Sequence, residues 1–594
     1  MFQQYTATTS PKTGAARLAD LRGAMDGIDG FLIPRTDAHQ GEDVAACSER
    51  LAWLTGFTGS AGMCAALRDI AGVFIDGRYT LQVRDQVDLA AFTPVPMHEV
   101  KLSDWLIEQL PDGGVIAYDP WLHGFDEIEK LALAVSDKGI SLLKSDNLVD
   151  KIWTDQPDPP KGMIQPHGIE FSGEESVDKR TRIAVAVADA GQEAFVLTLP
   201  ASICWLLNIR GSDIAHTPVA LCFAIIKADG RVDLFVDPDK IDFAVIKHFG
   251  DGVNLHSETE LTLALKRLTG KVGVDRNSAP VAISDLLENP VWGSDPCILP
   301  KACKNAVEIA GSRAAHLRDG AAMVEFLCWL DGEAPKNTLS EIAVAKQLET
   351  FRRNTNALRD VSFDTISGSG PNGAIVHYRV TEDTDRKISQ GDILLVDSGG
   401  QYQDGTTDIT RTVAVGAVAP EVARYNTLVL KGMIAISMAR WPNGITGRDL
   451  DCFARMSLWQ NGLDYAHGTG HGVGAYLGVH EGPQGISRRS VVPFETGMIL
   501  SNEPGYYREG AYGIRIENLV VVSAPETPTG GEIPMHGFET LTFVPIDRRL
   551  IVADMLTNPE RDWLNAYHHE VLTKISPLVA GEVRIWLENA CADI

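Results

Sequence analysis

The spacing of apolar positions changes in the second half of the chain, from that of helices to that of strands. From 305 to 330 apolar residues repeat at helical spacing without a proline or glycine cluster, which predicts a long amphipathic helix. The segment TLSEIAVAKQLETFRRN predicts a second helix, with Ser340 or Thr338 as its N-terminal cap. Beyond 361 the spacing becomes that of strands, in the segments VSFDTISG, AIVHYRV, DILLVDSGGQY and RTVAVGAV.

Helical spacing returns before the end of the chain. The patterns over 421–438 and 447–460 predict two further helices, and more strands follow them. In the C-terminal region, LTFVPIDRRLIV predicts an appended hairpin and ERDWLNAYHHEVLTKI predicts a helix after it.

A faint internal repeat divides the first half of the chain. The segment WLTGFTGS, which begins at Trp53, is echoed by WLLNIRGS, which begins at Trp205. A little further along in each copy, VFIDGRY is echoed by LFVDPDK. In both copies a helical pattern leads into a turn, then into short β-rich runs and a strand that ends in aspartate. The repeat predicts two related α/β domains, at 1–157 and 163–299, joined by the proline-rich stretch DQPDPPKGM.

Length and composition are those of a soluble multidomain protein. At 594 residues the chain is too long for one hydrophobic core, which predicts three or four domains. Hydrophobic residues make up 44% and charged residues 22%, as in globular proteins. The longest apolar run, 218–226, is too short to cross a bilayer, and the N-terminus lacks the apolar segment of a signal peptide. We therefore expect a cytoplasmic protein without a membrane partner.

Charge and cysteine content argue against two further kinds of site. The net charge of −26 leaves no excess of lysine and arginine to neutralise phosphates, which argues against a nucleic-acid partner. The nine cysteines include no CxxC pair, and several, such as Cys204, Cys222 and Cys328, lie in apolar runs. They are typical of reduced core residues, so we expect neither a catalytic cysteine nor a structural zinc site.

Four carboxylates and one imidazole are the chemically informative residues of the last third. They are Asp397 in LLVDSGGQY, Asp408 in TTDITRT, His471 in HGTGHG, Glu503 in SNEPGYY and Glu517 in IRIENLV. Taken singly, such an acid is usually a turn or cap residue, and such a histidine is usually hydrogen-bonded. Together they lie in or beside apolar stretches, where unpaired charge costs several kcal/mol. Two divalent cations such as Mn, Fe, Co or Zn would neutralise the set, which favours a two-metal hydrolase.

Five motifs surround these residues: SGSGPNGAIVHY, VDSGGQYQDGTTDITRT, HGTGHGVGAYLGVHEGP, NEPGYY and YGIRIEN. They closely resemble those of the pita-bread metallopeptidase family, and the chain is most similar to its cytosolic, three-domain aminopeptidase P (Xaa-Pro aminopeptidase) branch. Segments outside them, from RLAWLTGFTGSAG to DWLNAYH, resemble the other domains of that branch. The resemblance implies an α/β (α+β) multidomain fold, with two creatinase-type N-terminal α/β domains, a pita-bread catalytic domain at 300–530 and a C-terminal extension at 531–594.

The resemblance also assigns roles to individual residues. It implies that Asp397 chelates one metal ion, that His471 and Glu503 chelate the other, and that Asp408 and Glu517 bridge both. It implies a further set of active-site residues, of which the three histidines bind substrate: His377, His467, His480 and Arg515. For each of these histidines the alternative is a purely structural hydrogen bond, such as one that closes the glycine-rich loop around His467.

The implied activity is removal of the N-terminal residue from peptides with proline at the second position. A hydroxide that bridges two divalent ions would attack the peptide bond, with Mn²⁺ as the expected metal and Zn²⁺ or Co²⁺ as alternatives. His480 or His377 would polarise the scissile carbonyl, and Glu503 would carry a proton to the leaving nitrogen. The resemblance also implies a homodimer. Trp459 is a candidate anchor for it, unless this ring simply closes the catalytic core.

Three other functions are known for proteins with motifs of this kind, and each is a less favoured prediction than aminopeptidase P. A prolidase would cleave Xaa-Pro dipeptides with the same five ligands, but the two additional α/β domains and the C-terminal extension favour aminopeptidase P. A creatinase-like, metal-free hydrolase is disfavoured because all five ligand positions are filled. A non-enzymatic binding protein of the same fold would require replaced ligands, and the chain has none.

Overall fold

Two six-stranded sheets with the same connectivity make up most of the first half of the chain. The computed structural model describes residues 1–594. The strands of the first sheet are β1 Gly30–Pro34, β2 Gly62–Leu67, β3 Ala71–Ile75, β4 Thr93–Pro96, β5 Gly114–Tyr118 and β6 Ile140–Lys144. Their order in the sheet is β4-β3-β2-β1-β5-β6. The helices of this part are α1 Gly14–Ala24, α2 Arg50–Thr55, α3 Gln82–Gln86, α4 Leu102–Gln109, α5 Phe125–Val135 and α6 Leu148–Ile152.

The second sheet repeats the pairing scheme of the first. The strands here are β7 Gln165–Pro166, β8 Ala194–Leu197, β9 Ile209–Arg210, β10 Phe223–Lys227, β11 Val232–Phe235, β12 Val253–His256, β13 Val272–Asp275 and β14 Pro290–Gly293. The sheet order is β12-β11-β10-β8-β13-β14, while β7 pairs only with β9. In the first sheet β1 has the antiparallel neighbour β2 on one side and the parallel neighbour β5 on the other. In the second sheet β8 has the antiparallel neighbour β10 and the parallel neighbour β13 in the same way. This shared scheme confirms the predicted duplication of an α/β unit.

Helices of the second α/β unit cover its sheet, and they are α7 Ile169–Ser172, α8 Ser176–Asp189, α9 Pro200–Leu207, α10 Phe243–Phe249, α11 Leu261–Lys266 and α12 Val281–Leu286. The two repeated segments, which begin at Trp53 and Trp205, supply the last three residues of α2 and α9. Each helix ends at a residue in the left-handed conformation, Gly56 with φ +91° and Asn208 with φ +48°. Glycine and asparagine adopt this conformation at low cost, so both copies end the helix in the same way.

The chain has two compact units: residues 8–298 hold both α/β sheets, and residues 299–594 together with the first seven residues form the other, called the C-terminal unit below. Its helices are α13 Ile298–Ala302, α14 Ala306–Glu333, α15 Glu341–Asn354, α16 Pro420–Ser437, α17 Gly447–Trp459, α18 Asn558–Ile575 and α19 Gly581–Ala590. The predicted long helix is confirmed as α14, and Asn305 and Glu308 cap its start reciprocally. The second predicted helix is confirmed as α15, and its N-terminal cap is Ser340 rather than Thr338. The patterns over 421–438 and 447–460 are confirmed as α16 and α17.

Strands of this C-terminal unit form antiparallel sheets of two to six strands. They are β15 Asp360–Val361, β16 Ile366–Ser369, β17 Ile393–Ser398, β18 Gly400–Tyr402, β19 Gly405–Thr406, β20 Ile409–Ala414, β21 Arg440–Trp441, β22 Gly470–Gly472, β23 Glu481–Ile486, β24 Ile499–Asn502, β25 Gly505–Arg508, β26 Tyr512–Arg515, β27 Asn518–Val522 and β28 His536–Thr540. The two sheets that matter for function have the orders β16-β17-β20 and β21-β28-β27-β24-β22-β23. A large hydrophobic core joins α14, α16 and α18 to β17 and β20, so the strands rest on a rigid support.

Two predicted strand regions are wrong. The segment AIVHYRV forms no strand, because a 3-10 helix over Gly370–Ala374 leads directly into a turn. Its alternating apolar pattern reflects the burial of Tyr378 and Val380 in a small core cluster. The segment VSFDTISG is split into the two separate strands β15 and β16.

The predicted C-terminal hairpin is also absent. Strand β28 ends at Thr540, and LTFVPIDRRLIV continues without a strand partner. The carbonyl groups of Thr542, Val544 and Pro545 accept hydrogen bonds from the side chains of Arg411 and Tyr567 instead. The predicted helix that follows is confirmed as α18, while α19 was not predicted.

The predicted domain boundaries stay predictions. None of the helices combines the length and the apolar composition that a bilayer crossing requires.

Candidate metal centre

Strands β17 and β20 bring the first two predicted ligands together. Asp397 lies in β17, opposite Thr410 of β20, and Asp408 immediately precedes β20. A short hairpin of β18 and β19 connects the two strands. A Cβ atom at Gly399 would lie 1.9 Å from the carbonyl oxygen of Thr407, so only glycine allows the chain to approach itself this closely.

The other three predicted ligands come from the neighbouring sheet. His471 lies in β22, where an irregularity in the pairing with β23 follows it. Glu503 directly follows β24, and its backbone N–H donates to the carbonyl of Thr469 at 2.8 Å. Glu517 lies between β26 and β27, and its N–H donates to the carbonyl of Thr410 at 3.1 Å. This last hydrogen bond connects the residue before β27, a strand of the six-stranded sheet that also holds β22 and β24, to β20, the strand that follows Asp408.

The structure brings these side chains to one place. Single ligand atoms of Asp408, His471 and Glu517 all lie within 4.8 Å of one another. The Nε2 atom of His471 is 3.5 Å from Oδ2 of Asp408 and 3.6 Å from Oε1 of Glu503. Asp397 joins the group through Arg515, whose Nη2 is 2.5 Å from Oδ2 of Asp397 and whose Nε is 4.0 Å from Oε2 of Glu503.

The electrostatics of this cluster fit divalent cations. Burial, together with the other carboxylates, raises the pKa values of Asp408 and Glu517 well above their usual range. Burial also raises the pKa of Glu503 to about 7, against the opposing effect of Arg515. The Oδ1 atoms of Asp397 and Asp408 are buried and have no hydrogen-bond partner. Buried carboxylate oxygens without donors are costly in a protein, whereas they are the ligands that hard divalent metals prefer.

Two of the predicted histidines lie near His471, His480 directly beside it and His377 beside His480. The ring of His480 packs edge-on against His471 with a centroid separation of 4.3 Å. The ring of His377 lies 6.5 Å from that of His480 and nearly parallel to it. His480 therefore has ring contacts with both His471 and His377.

His467 and Arg515 belong to a hydrogen-bonded chain on another side of the centre. The Nε2 atom of His467 lies 2.9 Å from the hydroxyl of Tyr507. That hydroxyl accepts a hydrogen bond of 2.6 Å from Nη1 of Arg515, which in turn contacts Asp397. Arg515 therefore orients Asp397 and links it to His467 through Tyr507.

Sequence reasoning missed two residues of this centre. Tyr507 is the second tyrosine of NEPGYY, four residues after Glu503, and its role depends on contacts across the sheet. Thr410 donates from its hydroxyl to Oε2 of Glu517 at 2.8 Å. Its position two residues after Asp408, on the same face of an extended chain, was the available signal.

The mixed fold and the carboxylate-rich centre define a metallopeptidase. Residues 310–524 match the model of metallopeptidase family M24, and residues 534–594 match the C-terminal region of peptidase M24. Residues 17–152 and 155–308 each match a creatinase/prolidase N-terminal domain. These matches confirm the predicted fold class.

Individual relatives identify the branch of the M24 family to which the chain belongs. The chain is 40% identical to Aminopeptidase P2 of Arabidopsis thaliana over 95% of this chain and 86% of that protein. It is 39% identical to a probable Xaa-Pro aminopeptidase P of Coccidioides posadasii (strain C735) over 98% and 94% of the two chains. The chain belongs to the Xaa-Pro aminopeptidase P family of M24 metallopeptidases, as the motifs predict.

A solved structure agrees over the whole length. The X-prolyl aminopeptidase of Caenorhabditis elegans, described as a cytosolic enzyme with a di-nuclear active site, superposes with a TM-score of 0.94 at 33% identity. That match covers 98% of this chain and all of the other. The Xaa-Pro dipeptidase of Bacillus anthracis reaches a TM-score of only 0.51 and covers 63% of this chain with 99% of its own. A dipeptidase of that size has no counterpart for the remaining third of this chain.

Proposed function

We propose that this protein is a dinuclear metal aminopeptidase that removes the N-terminal residue from peptides with proline at the second position. The observation that carries the proposal is the cluster of Asp408, His471 and Glu517, which Glu503 joins through His471 and Asp397 joins through Arg515, with two buried carboxylate oxygens that have no protein donor. Full-length similarity to Xaa-Pro aminopeptidases supports the substrate class. The partial coverage by a dipeptidase makes prolidase the weaker alternative.

The proposed ligands divide into terminal and bridging groups. Asp397 would hold one ion, His471 and Glu503 the other, and Asp408 and Glu517 both. Two ions neutralise the four carboxylates, and we expect Mn²⁺, with Zn²⁺ or Co²⁺ as alternatives. When bound, the ions supply Lewis acidity, which activates water and polarises the scissile carbonyl.

The protein's own side chains orient the substrate and move protons. His480, whose ring packs against His471, and His377, whose ring lies next to that of His480, would donate hydrogen bonds to the carbonyl oxygen as negative charge develops on it. Glu503, whose carboxylate lies 3.6 Å from Nε2 of His471, would deliver a proton to the leaving nitrogen. Arg515 holds Asp397 in position, and Tyr507 holds His467.

The substrate class is tested with matched peptides. An Xaa-Pro bond is a tertiary amide without an N–H, so the site must accept the proline ring by shape. We expect a tripeptide Xaa-Pro-Yaa to release its first residue, and the dipeptide Xaa-Pro and the tripeptide Xaa-Ala-Yaa to react at least about tenfold more slowly, a difference of about 1.4 kcal/mol. Release of the N-terminal amino acid, followed by chromatography, measures all three rates. Preference for the dipeptide would identify a prolidase instead.

We also propose a cytoplasmic homodimer. The cytosolic description of the C. elegans enzyme supports the location. On α17, the apolar side chains of Phe453, Met456 and Trp459 are 43%, 52% and 44% exposed at a spacing of three residues, so they share one face. Trp459 therefore does not close the catalytic core. An exposed apolar face that contains tryptophan is typical of a protein interface.

Replacement of Trp459 by glutamate tests this face. Because a buried charge in an interface is costly, Trp459→Glu is expected to sediment as a monomer while the wild type sediments as a dimer. The matched control is Ile585→Glu, which places the same charge at an exposed apolar position on α19 and should leave the dimer intact. Sedimentation velocity and circular dichroism together measure assembly and folding. A folded Trp459→Glu dimer would contradict the interface.

A further inference from the structure

Arg411 is a buried arginine whose hydrogen-bond partners are all uncharged. Its side chain is only 1% exposed. The guanidinium donates to six oxygen atoms at 2.6 to 3.1 Å, which belong to the carbonyls of Thr410, Glu517, Val544 and Pro545, the side-chain amide of Asn518 and the hydroxyl of Tyr567. A buried cation without a paired carboxylate is costly unless its surroundings supply both hydrogen bonds and a negative field.

The acceptors of Arg411 lie on two separate parts of the chain. Nη1 bonds the carbonyls of Thr410 and Glu517, on the two segments that carry the proposed bridging carboxylates. Nε and Nη2 bond the carbonyls of Pro545 and Val544, in the C-terminal segment that forms no strand. One planar side chain therefore joins the ligand segments to the C-terminal extension.

The contacts on the ligand side fix the bridging carboxylates closely. The carbonyl of Thr410 that accepts from Arg411 also accepts from the N–H of Glu517. The hydroxyl of Thr410 donates to the carboxylate of Glu517. A shift of the guanidinium would therefore move the backbone of Glu517 and of β20, whose first residue follows Asp408. Among the four carboxylates, Glu517 is the one whose negative charge favours the charged form of Arg411.

The C-terminal side is built to receive this side chain. The hydroxyl of Tyr567 accepts from Nη2 of Arg411 and donates to the carbonyl of Val544. Tyr567 lies on α18, which packs into the large hydrophobic core of the C-terminal unit. The carbonyls of Thr542, Val544 and Pro545, which have no partner strand, are thus the acceptors that hold Arg411 and Tyr567.

We propose that Arg411 is a positioning residue through which the C-terminal extension sets the spacing of Asp408 and Glu517, and hence the affinity for metal. The inference rests on the proposed metal centre and goes beyond it, because it gives the extension a part in the chemistry. Lysine at this position would keep the charge, but its single nitrogen cannot reach acceptors on both sides.

Calorimetric titration of Mn²⁺ into metal-stripped protein tests the proposal. Mutation of residues that hold metal ligands in position typically weakens metal binding by about 10–100-fold. We therefore expect Arg411→Lys to weaken Mn²⁺ binding within that range. Tyr567→Phe removes one acceptor of Arg411 and should weaken binding by a smaller factor. With saturating Mn²⁺, the kcat of Arg411→Lys should rise towards that of the wild type, while KM for the peptide changes little.

The matched control is Arg548→Lys. Arg548 also donates to backbone carbonyls of the extension, those of Asn589 and Asp593, but it makes no hydrogen bond to Thr410 or Glu517. Its substitution should leave Mn²⁺ affinity unchanged, even if the melting temperature falls. Wild-type Mn²⁺ affinity in folded Arg411→Lys would overturn the proposal. If Arg411→Lys does not fold, Tyr567→Phe decides: weaker binding supports the proposal and unchanged binding overturns it. A wild type that binds no Mn²⁺ would instead reject the metal centre itself.

Discussion

Replacement of Asp408 or Glu517 by alanine is expected to release at least one metal ion and to abolish nearly all peptide hydrolysis. Each carboxylate is proposed to bridge the two ions, so its loss leaves two cations close together with less negative charge between them. Metal ions contribute several kcal/mol to transition-state stabilisation in such hydrolases. Metal content by mass spectrometry, together with kcat for an Xaa-Pro-Yaa tripeptide, measures both effects.

The matched control for this experiment is Asp404→Ala. Asp404 lies between β18 and β19, and its carboxylate is 2.7 Å from the guanidinium of Arg318. The substitution therefore removes an acid close in sequence to the ligands that belongs to another ion pair. This variant should keep both metals and most of its activity. An Asp408→Ala or Glu517→Ala enzyme that retained two metal ions and most of its kcat would show that the bridging assignment is wrong.

His480→Ala and His377→Ala are expected to keep both metal ions but to lose activity. The ring of His480 packs against His471 and the ring of His377 lies next to His480, and both are proposed to act on the substrate carbonyl rather than to bind metal. Loss of a hydrogen-bond donor to a developing oxyanion typically costs about 2–4 kcal/mol of transition-state stabilisation. The expected fall is in kcat, measured at saturating peptide and saturating metal.

A structural histidine provides the comparison. His536 lies in β28, where it is buried and hydrogen-bonded to the carbonyl of Ser523 and the side chain of Asn443. His536→Ala should alter stability while the kcat of the folded enzyme stays unchanged. Stoichiometric loss of metal from His480→Ala or His377→Ala would instead make that histidine a metal ligand.

Local patterns predicted the helices and the duplicated sheets well. The helix α14 follows from its apolar period and its cap at Asn305, and α15 follows from Ser340, because both signals act within a few residues. The same patterns failed at AIVHYRV and at LTFVPIDRRLIV. In both, alternating apolar residues pack into a core without a strand partner, and the alternation alone cannot distinguish that environment from a sheet.

Sequence by itself determined which residues are available for the metal centre. The five proposed ligands are acids and a histidine in short motifs beside apolar strands, and both their chemistry and their cost without a cation follow from residue type. Family resemblance added the proposed roles of His377, His480 and Arg515, which composition does not indicate.

Tertiary structure alone decided how these residues are held. The contacts of Tyr507 with His467 and of Arg411 with Val544 and Tyr567 join positions 40 to 156 residues apart. A side chain's own neighbours in sequence do not indicate such a partner, because hydrogen bonds between distant segments form only after the cores bring those segments together. The clamp at Arg411 is therefore a property of the folded chain, although every residue in it is visible in the sequence.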